Sequence, residues 1–253
     1  MAQPVVERGR GMPLVAMYHS VAPYRRDPYR VTVSPARFGQ QLAWLARRGR
    51  RGVSVRDLLA ARAAGRGHGL VGLTFDDGYA DFAEHALPVL RRFGFTATVF
   101  VIAGRLGGDN SWDPDGPRKP LLTADGVRRV ADEGMEIGSH GLRHVSLPAA
   151  HGALDVETGG SRRILQDITG QPAGGFCYPY GHLDAEVVSA VRAAGYDYGC
   201  AIWPSEYAGR HALPRTYIGD ADTSPRLWGK AMRHWLTWDY RGPGAARARP
   251  RAA

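Results

Sequence analysis

The chain has 253 residues, a formal net charge of +9, 44% hydrophobic and 23% charged residues, and two cysteines. That length supports one large domain or two small ones, with core enough to fold without disulfides, and that composition excludes a disordered or fibrous chain. The arginine clusters at 47–51, 91–92 and 162–163 lack the basic–aromatic interleaving of nucleic-acid modules, so they read as solvated surface and no nucleic-acid partner is expected.

Residues 1–12 form a polar lead-in with no apolar run of signal-peptide length, and no stretch approaches a membrane span, so a cytoplasmic location is expected. Leu14 to Tyr18 reads as a first buried strand ending at His19-Ser20, and a loop follows to residue 33. Ser34-Pro35 suits an N-cap and first turn, opening a helix with Phe38, Leu42 and Leu45 on one face. Gly52 to Val55 reads as a short strand and 56–64 as an Ala-rich helix. The apolar run Leu70–Leu73 is a core strand leading into Thr74-Phe75-Asp76-Asp77-Gly78. Residues 81–93 read as a helix with Pro88 as a kink, and Phe95 to Ile102 as a strand. Residues 103–120, rich in Gly, Asp and Pro, are the longest irregular insert.

Thr123 caps a helix to Glu133, and Met135 to Gly138 is the next strand. A longer helix is expected over 152–169, a strand over Gly175–Tyr178, and a helix over 185–194 capped by Asp184. Strands over Tyr198–Ile202 and Leu213–Ile218 precede a final helix over 225–236, and the Ala/Arg/Pro-rich tail from Gly242 reads as disordered. A glycine follows helix after helix, at Gly49, Gly94, Gly134 and Gly195, as expected for C-terminal caps. Strand–helix alternation implies a parallel sheet with crossover helices. No linker divides the chain, so one α/β barrel domain over 13–240, with a basic tail at 241–253, fits better than two domains; a doubly wound open sheet is the alternative. No Gly-x-Gly-x-x-Gly follows the first strand, which disfavours a dinucleotide site.

In such barrels chemistry sits where strands run into the following loops. His19, Asp76, Asp77, His140, His144 and Tyr180 all fall at such points. Adjacent carboxylates repel and resist burial, so a divalent cation is the usual compensation. His140-x₃-His144 with Asp77 gives two imidazoles and one carboxylate with coordination positions left open. That set suits zinc, with Co²⁺, Ni²⁺ or Fe²⁺ also acceptable, and it equally describes a non-haem iron triad. The neighbouring Asp76 favours hydrolysis, because a base is wanted beside the attacking water. Pro179 and Gly181 bracket Tyr180 in a turn whose backbone N–H could face a developing oxyanion. Each element alone also has a plain structural reading: a surface turn, a capping histidine pair, a strand-ending turn.

Together, Thr74–Gly78, Ser139-His140 to His144, and Tyr178–Gly181 resemble the three leading motifs of the polysaccharide deacetylase family, also called carbohydrate esterase family 4. The resemblance spans residues 14–218. It implies a distorted (β/α)₇ barrel and metal-dependent hydrolysis of N-acetyl groups on an amino-sugar-containing substrate, with release of acetate. It assigns Asp76 as general base, Asp77, His140 and His144 as metal ligands, and Tyr180 as an oxyanion-hole residue. Two features depart from the family pattern. Cys177 stands where an Arg often orients the base, and Arg215 is the candidate substitute. The late Leu-x-His motif that supplies an acid has no clear match; His182 and His211 are stand-ins, and Tyr18-His19 resembles a first-strand motif of some extracellular-polysaccharide deacetylases, with a supporting or structural role. Trp112, Trp203, Trp235 and Trp238 are candidates to stack on sugar rings. A small-amide hydrolase of the same superfamily and a non-catalytic sugar-binding barrel are the competing expectations. Oligomeric state is not readable.

Overall fold

Short, almost wholly buried strands build one curled parallel sheet beside a small two-stranded one, seen in the computed structural model that describes residues 11–150 and 152–238. In chain order the elements are β1 (Val15–Tyr18), β2 (Ser20–Val21), β3 (Thr32–Val33), α1 (Pro35–Ala46), β4 (Arg51–Val53), α2 (Val55–Ala63), β5 (Leu70–Phe75), α3 (Leu87–Phe93) and β6 (Thr98–Val101). They continue with α4 (Ala124–Asp132), β7 (Glu136–Ser139), α5 (Ser161–Thr169), β8 (Gly175–Cys177), α6 (Ala185–Ala193), β9 (Tyr198–Cys200), β10 (Thr216–Tyr217) and α7 (Ser224–Trp238). The sheet order is β10-β1-β5-β6-β7-β8-β9, with β4 beside the start of β5, and its pairings are parallel. The segment 213–217 closes the ring: Leu213 exchanges backbone hydrogen bonds with Gly199 and Ala201, and Thr216 and Tyr217 then pair with Ala16 and Met17. The result is the expected distorted seven-stranded α/β barrel. Leu213 to Ile218 is not one continuous strand, because Pro214 lacks the N–H a ladder needs and splits it into a single bridge and β10.

Alternation along the strands sorts the core. Val71, Leu73 and Phe75 of β5 point outward and pack with Phe38 and Leu42 of α1 and Leu90 of α3. Phe176 and Tyr178 likewise face Val187 and Val191 of α6. Inside the barrel, Val15, Phe100, Cys177, Tyr198, Cys200 and Leu213 form a separate cluster. Gly138 and Gly175 make room for it, since a Cβ there would stand 2.6 Å from the Phe100 ring and 2.2 Å from the Tyr198 hydroxyl. The inward parity on β5 and β7 therefore carries Thr74, Asp76, Glu136 and His140.

The cap readings hold at Thr123 and Asp184, whose side chains accept from Gly126 N–H and Val187 N–H. Gly49, Gly94, Gly134 and Gly195 all adopt positive φ. Four expectations change. Ser54 is not strand; its hydroxyl caps α2 by accepting from Asp57 N–H. Ser34 precedes α1 without capping it, its hydroxyl donating instead to Asp220 Oδ1 at 2.7 Å. The helices expected over 81–93 and 152–169 each begin with a π-helical turn, Phe82–Ala86 and Val156–Gly160. Pro88 thereby falls in the first turn of α3, where its missing N–H costs nothing. Most of the lead-in and the whole tail at 241–253 lie outside the described residues. Among those described, no helix is long and apolar enough to cross a membrane.

Candidate active site

Asp76 and Asp77 leave the end of β5 in opposite roles because the backbone changes hand between them. Asp76 keeps the inward strand direction, whereas Asp77 turns at φ 71°. Asp76 is buried and clamped from across the barrel by Arg215, which donates from Nη1 to Oδ1 at 2.6 Å and from Nη2 to Oδ2 at 2.7 Å. The guanidinium also donates to Thr74 Oγ1, Ala201 O and Cys177 Sγ, at 3.0, 3.0 and 3.1 Å. Burial pushes the Asp76 carboxyl up, but the charge and hydrogen bonds of Arg215, helped by His19, hold it below the ordinary carboxylate range. Asp76 is thus an ionised carboxylate with a fixed orientation. His19, at the end of β1, brings Nε2 to 3.9 Å from Asp76 Oδ2.

Asp77 faces the two histidines. Its Oδ1 lies 3.4 Å from His140 Nε2 and 3.4 Å from His144 Nε2, and those donor atoms converge within 4.8 Å of one another. His140 Nδ1 is 2.8 Å from Cys177 O, which turns Nε2 toward Asp77. His144 adopts φ 61°, folding its ring back beside His140 at 5.1 Å between centroids. Burial pushes His144 down to about 4, so its imidazole is neutral and ready to ligate. The Asp77 Oδ1 atom is buried without a hydrogen-bond partner. An orphaned carboxylate oxygen between two imidazole nitrogens is costly as it stands and is the donor set a divalent cation takes. Asp76, His140 and Cys177 also converge. Arg215 occupies that carboxylate, however, and burial pushes the Cys177 thiol up, so it offers no thiolate.

The residues matched by the polysaccharide deacetylase family model are 64–199. The chain belongs to the polysaccharide deacetylase family. The family hydrolyses the amide bond of N-acetyl groups and is metal-dependent, and this chain is accordingly a deacetylase, a hydrolase of N-acetyl amide bonds. YxkH of Bacillus subtilis (strain 168) is 26% identical over 228 residues, 88% of this chain and 75% of that protein. The poly-beta-1,6-N-acetyl-D-glucosamine N-deacetylase of Staphylococcus aureus (strain MSSA476) is 22% identical over 205 residues, 75% of this chain and 68% of that one. Among solved structures, the Streptococcus pyogenes deacetylase PplD in complex with acetate superposes with a TM-score of 0.73 at 22% identity, covering 88% of this chain and 99% of that one. BC0361, a polysaccharide deacetylase from Bacillus cereus, gives 0.74 at 23% identity over 87% of this chain and 68% of that one. These superpositions carry the fold.

Within that family frame the deviating positions find their places. Arg215 reaches Asp76 from the closing segment, past the small Cys177 side chain on β8. Tyr180 adopts φ 58°, and the hydrogen bonds of its turn run from Gly181 N–H to Tyr178 O and from His182 N–H to Pro179 O, leaving the Tyr180 N–H out of them. Its ring stacks 4.5 Å from that of His144. The two stand-in acids have other hydrogen-bond partners, though the His182 ring lies 5.7 Å from that of Tyr180. His182 pairs with Ser146 at 3.0 Å on the surface, and His211 Nε2 lies 3.0 Å from Tyr196 O. His19, with Nε2 3.9 Å from Asp76 Oδ2, is a histidine beside Asp76 in addition to His140. Trp112 lies 4.6 Å from His144, Trp203 is exposed after β9, and Trp235 and Trp238 sit on α7, which packs against α1. The insert also delivers Asp113, which burial and the facing Asp77 push up to about 6. An irregular insert carries no periodicity, so no sequence signal pointed to that residue.

Proposed function

We propose that this chain removes N-acetyl groups from an amino-sugar-containing glycan, releasing acetate and leaving a free amine. The observation that carries the reading is one strand end holding two differently committed carboxylates: Asp76 clamped by Arg215, and Asp77 left open toward His140 and His144. Asp77, His140 and His144 would hold a divalent cation, zinc first on this donor set, which supplies polarisation of the amide carbonyl and acidification of water. Asp76 takes the proton of the attacking water. Arg215 keeps that carboxylate ionised and aimed, so no reorganisation is needed as the proton arrives. The Tyr180 N–H donates to the oxygen on which negative charge develops. His19, beside Asp76, delivers a proton to the leaving nitrogen as the carbon–nitrogen bond breaks. Water and amide thus become carboxylate and amine. The name of the Staphylococcus aureus relative makes poly-β-1,6-N-acetylglucosamine the first polymer to test.

Metal content and acetate release together test the reading. The wild type is expected to hold about one divalent ion per chain and to release acetate from β-1,6- or β-1,4-linked N-acetylglucosamine oligomers. His140→Ala should lose both, and His19→Asn should keep the metal while losing turnover. A wild-type protein that takes up no zinc, cobalt or nickel after reconstitution refutes the metal site. A metal-loaded His19→Asn enzyme of wild-type rate refutes the acid assignment.

A further inference from the structure

The loop that carries both histidines, residues 140–144, has no regular secondary structure, yet most of its backbone is hydrogen-bonded. The His140 N–H donates to Val101 O at 2.8 Å and the Gly141 N–H to Ser139 Oγ at 3.1 Å. On the other side, Ala103 N–H and Gly104 N–H donate to the carbonyls of Gly141 and Leu142, and Arg105 Nε donates to that of Arg143. Two further amides, Leu142 N–H and Arg143 N–H, both donate to one oxygen of Glu157, Oε2, at 2.8 and 3.2 Å. Arg143 Nε donates to the other oxygen, Oε1, at 2.6 Å. Glu157 is fully buried and stands on the π-helical turn Val156–Gly160. Ser161 ties that turn to the end of β7: its hydroxyl is bonded to Glu157 O and to Ser139 Oγ.

We propose that Glu157 is the positioning residue of the metal site, a buried carboxylate whose charge holds the His140–His144 loop in the shape that points both imidazoles at Asp77. The inference rests on the reading of Asp77, His140 and His144 as metal ligands. The chemistry requires a carboxylate specifically. Three donors converge on Glu157, two amides on one oxygen and a guanidinium N–H on the other, and both oxygens accept. A glutamine has one acceptor oxygen, so its NH₂ would face either the two amides or the guanidinium, donor against donor. The π-turn serves the same end: its extra residue sets Glu157 under the loop, while the following residues resume the α-helix. The left-handed His144 is then held on its N-terminal side by anchored amides, and its strained backbone persists because its neighbours leave it no alternative.

The test compares full-length wild type, Glu157→Gln, Arg143→Ala and Leu90→Ala. Zinc affinity is measured by chelator competition, ligand geometry by the visible absorption of the Co²⁺-loaded protein, and Tm on the metal-free chain. Glu157→Gln is expected to weaken zinc binding about tenfold or more and to change the Co²⁺ spectrum. Arg143→Ala removes only the outer donor and should weaken binding by a few-fold. Leu90→Ala loosens the core behind β5, lowering Tm while leaving affinity within twofold, which separates positioning from general stability. Affinity and spectrum at wild-type values in Glu157→Gln overturn the proposal. Should that variant not fold, wild-type affinity and spectrum in Arg143→Ala overturn it alone. Failure of the wild type itself to bind metal refutes the ligand reading, a result distinct from equal binding by wild type and variants.

Discussion

Arg215→Met removes the one guanidinium that both oxygens of Asp76 share. The five N–H groups of Arg215 are all used, two of them on Asp76 at 2.6 and 2.7 Å, and both side chains are buried. Breaking a buried ion pair by removing one partner costs about 3–5 kcal/mol at neutral pH, because the other charge is stranded. For a chain of this size that is a Tm loss of roughly 6–20 °C. The pH dependence gives the sharper check. In the wild type the Asp76 pKa is depressed, so its contribution is present above the ordinary carboxylate range and is lost as pH falls through the folded value. In Arg215→Met burial prevails and the pKa rises. Protonation then relieves the stranded charge, and the variant's deficit narrows as the pH is lowered from about 8 to about 5. Calorimetry on both metal-free proteins across that range measures the gap. A deficit below about 1 kcal/mol, or one that widens on acidification, refutes the clamp.

Asp76→Asn should abolish acetate release, by about a thousandfold or more, while retaining zinc affinity within a few-fold; retention of wild-type rates would show that another group accepts the proton. Glu136, at the start of β7, is buried with Oε2 bonded to Thr98 and Arg56, and burial holds its carboxyl above the ordinary value against those bonds. A raised folded pKa favours the fold below the ordinary carboxylate range and is lost as pH rises through the folded value. Glu136→Gln should therefore gain on wild type between about pH 5 and pH 8 in thermal melts, and a Tm difference that stays flat contradicts the argument.

How much of this site was legible in sequence followed from where each residue lies relative to its strand. Asp76, Asp77, His140 and Tyr180 sit at the ends of apolar runs, so reading those runs as buried strands placed them at strand ends before any coordinates. Arg215 was reached by asking what replaces an arginine at Cys177, and the geometry puts its fork on Asp76. His19 was visible as a strand-end residue, but its approach to Asp76 depends on β1 lying beside β5, a long-range pairing that local patterns do not encode. Glu157 was hidden for another reason. Its segment reads as an ordinary helix over 152–169, and nothing in a helical pattern marks the π-turn that aims one acidic side chain inward. Seven or eight strands in a closed or nearly closed barrel were expected, whereas the split of the closing segment at Pro214 required the partners on both sides of it.

Asp77, His144 and Tyr180 share one trait: of the four non-glycine residues with positive φ among those described, three belong to this site. Left-handed backbone costs a residue with a Cβ about 1–2 kcal/mol, and a site that keeps three such residues uses each to turn a group toward one point. At Tyr180 the claim separates cleanly, because the group assigned to the chemistry is the N–H and not the ring. Tyr180→Ala and Tyr180→Gly both delete the ring that stacks on His144, and they differ only in the Cβ. In ordinary backbone the glycine variant would be the less stable, through its freer unfolded chain. At φ 58° the order should reverse, with glycine ahead by about 1 kcal/mol in chemical denaturation. Both variants should keep deacetylation within about tenfold of wild type, since both keep the N–H proposed to face the oxyanion. Alanine more stable than glycine would refute the left-handed turn. Two metal-loaded variants without turnover would move the role from the backbone to the phenol ring.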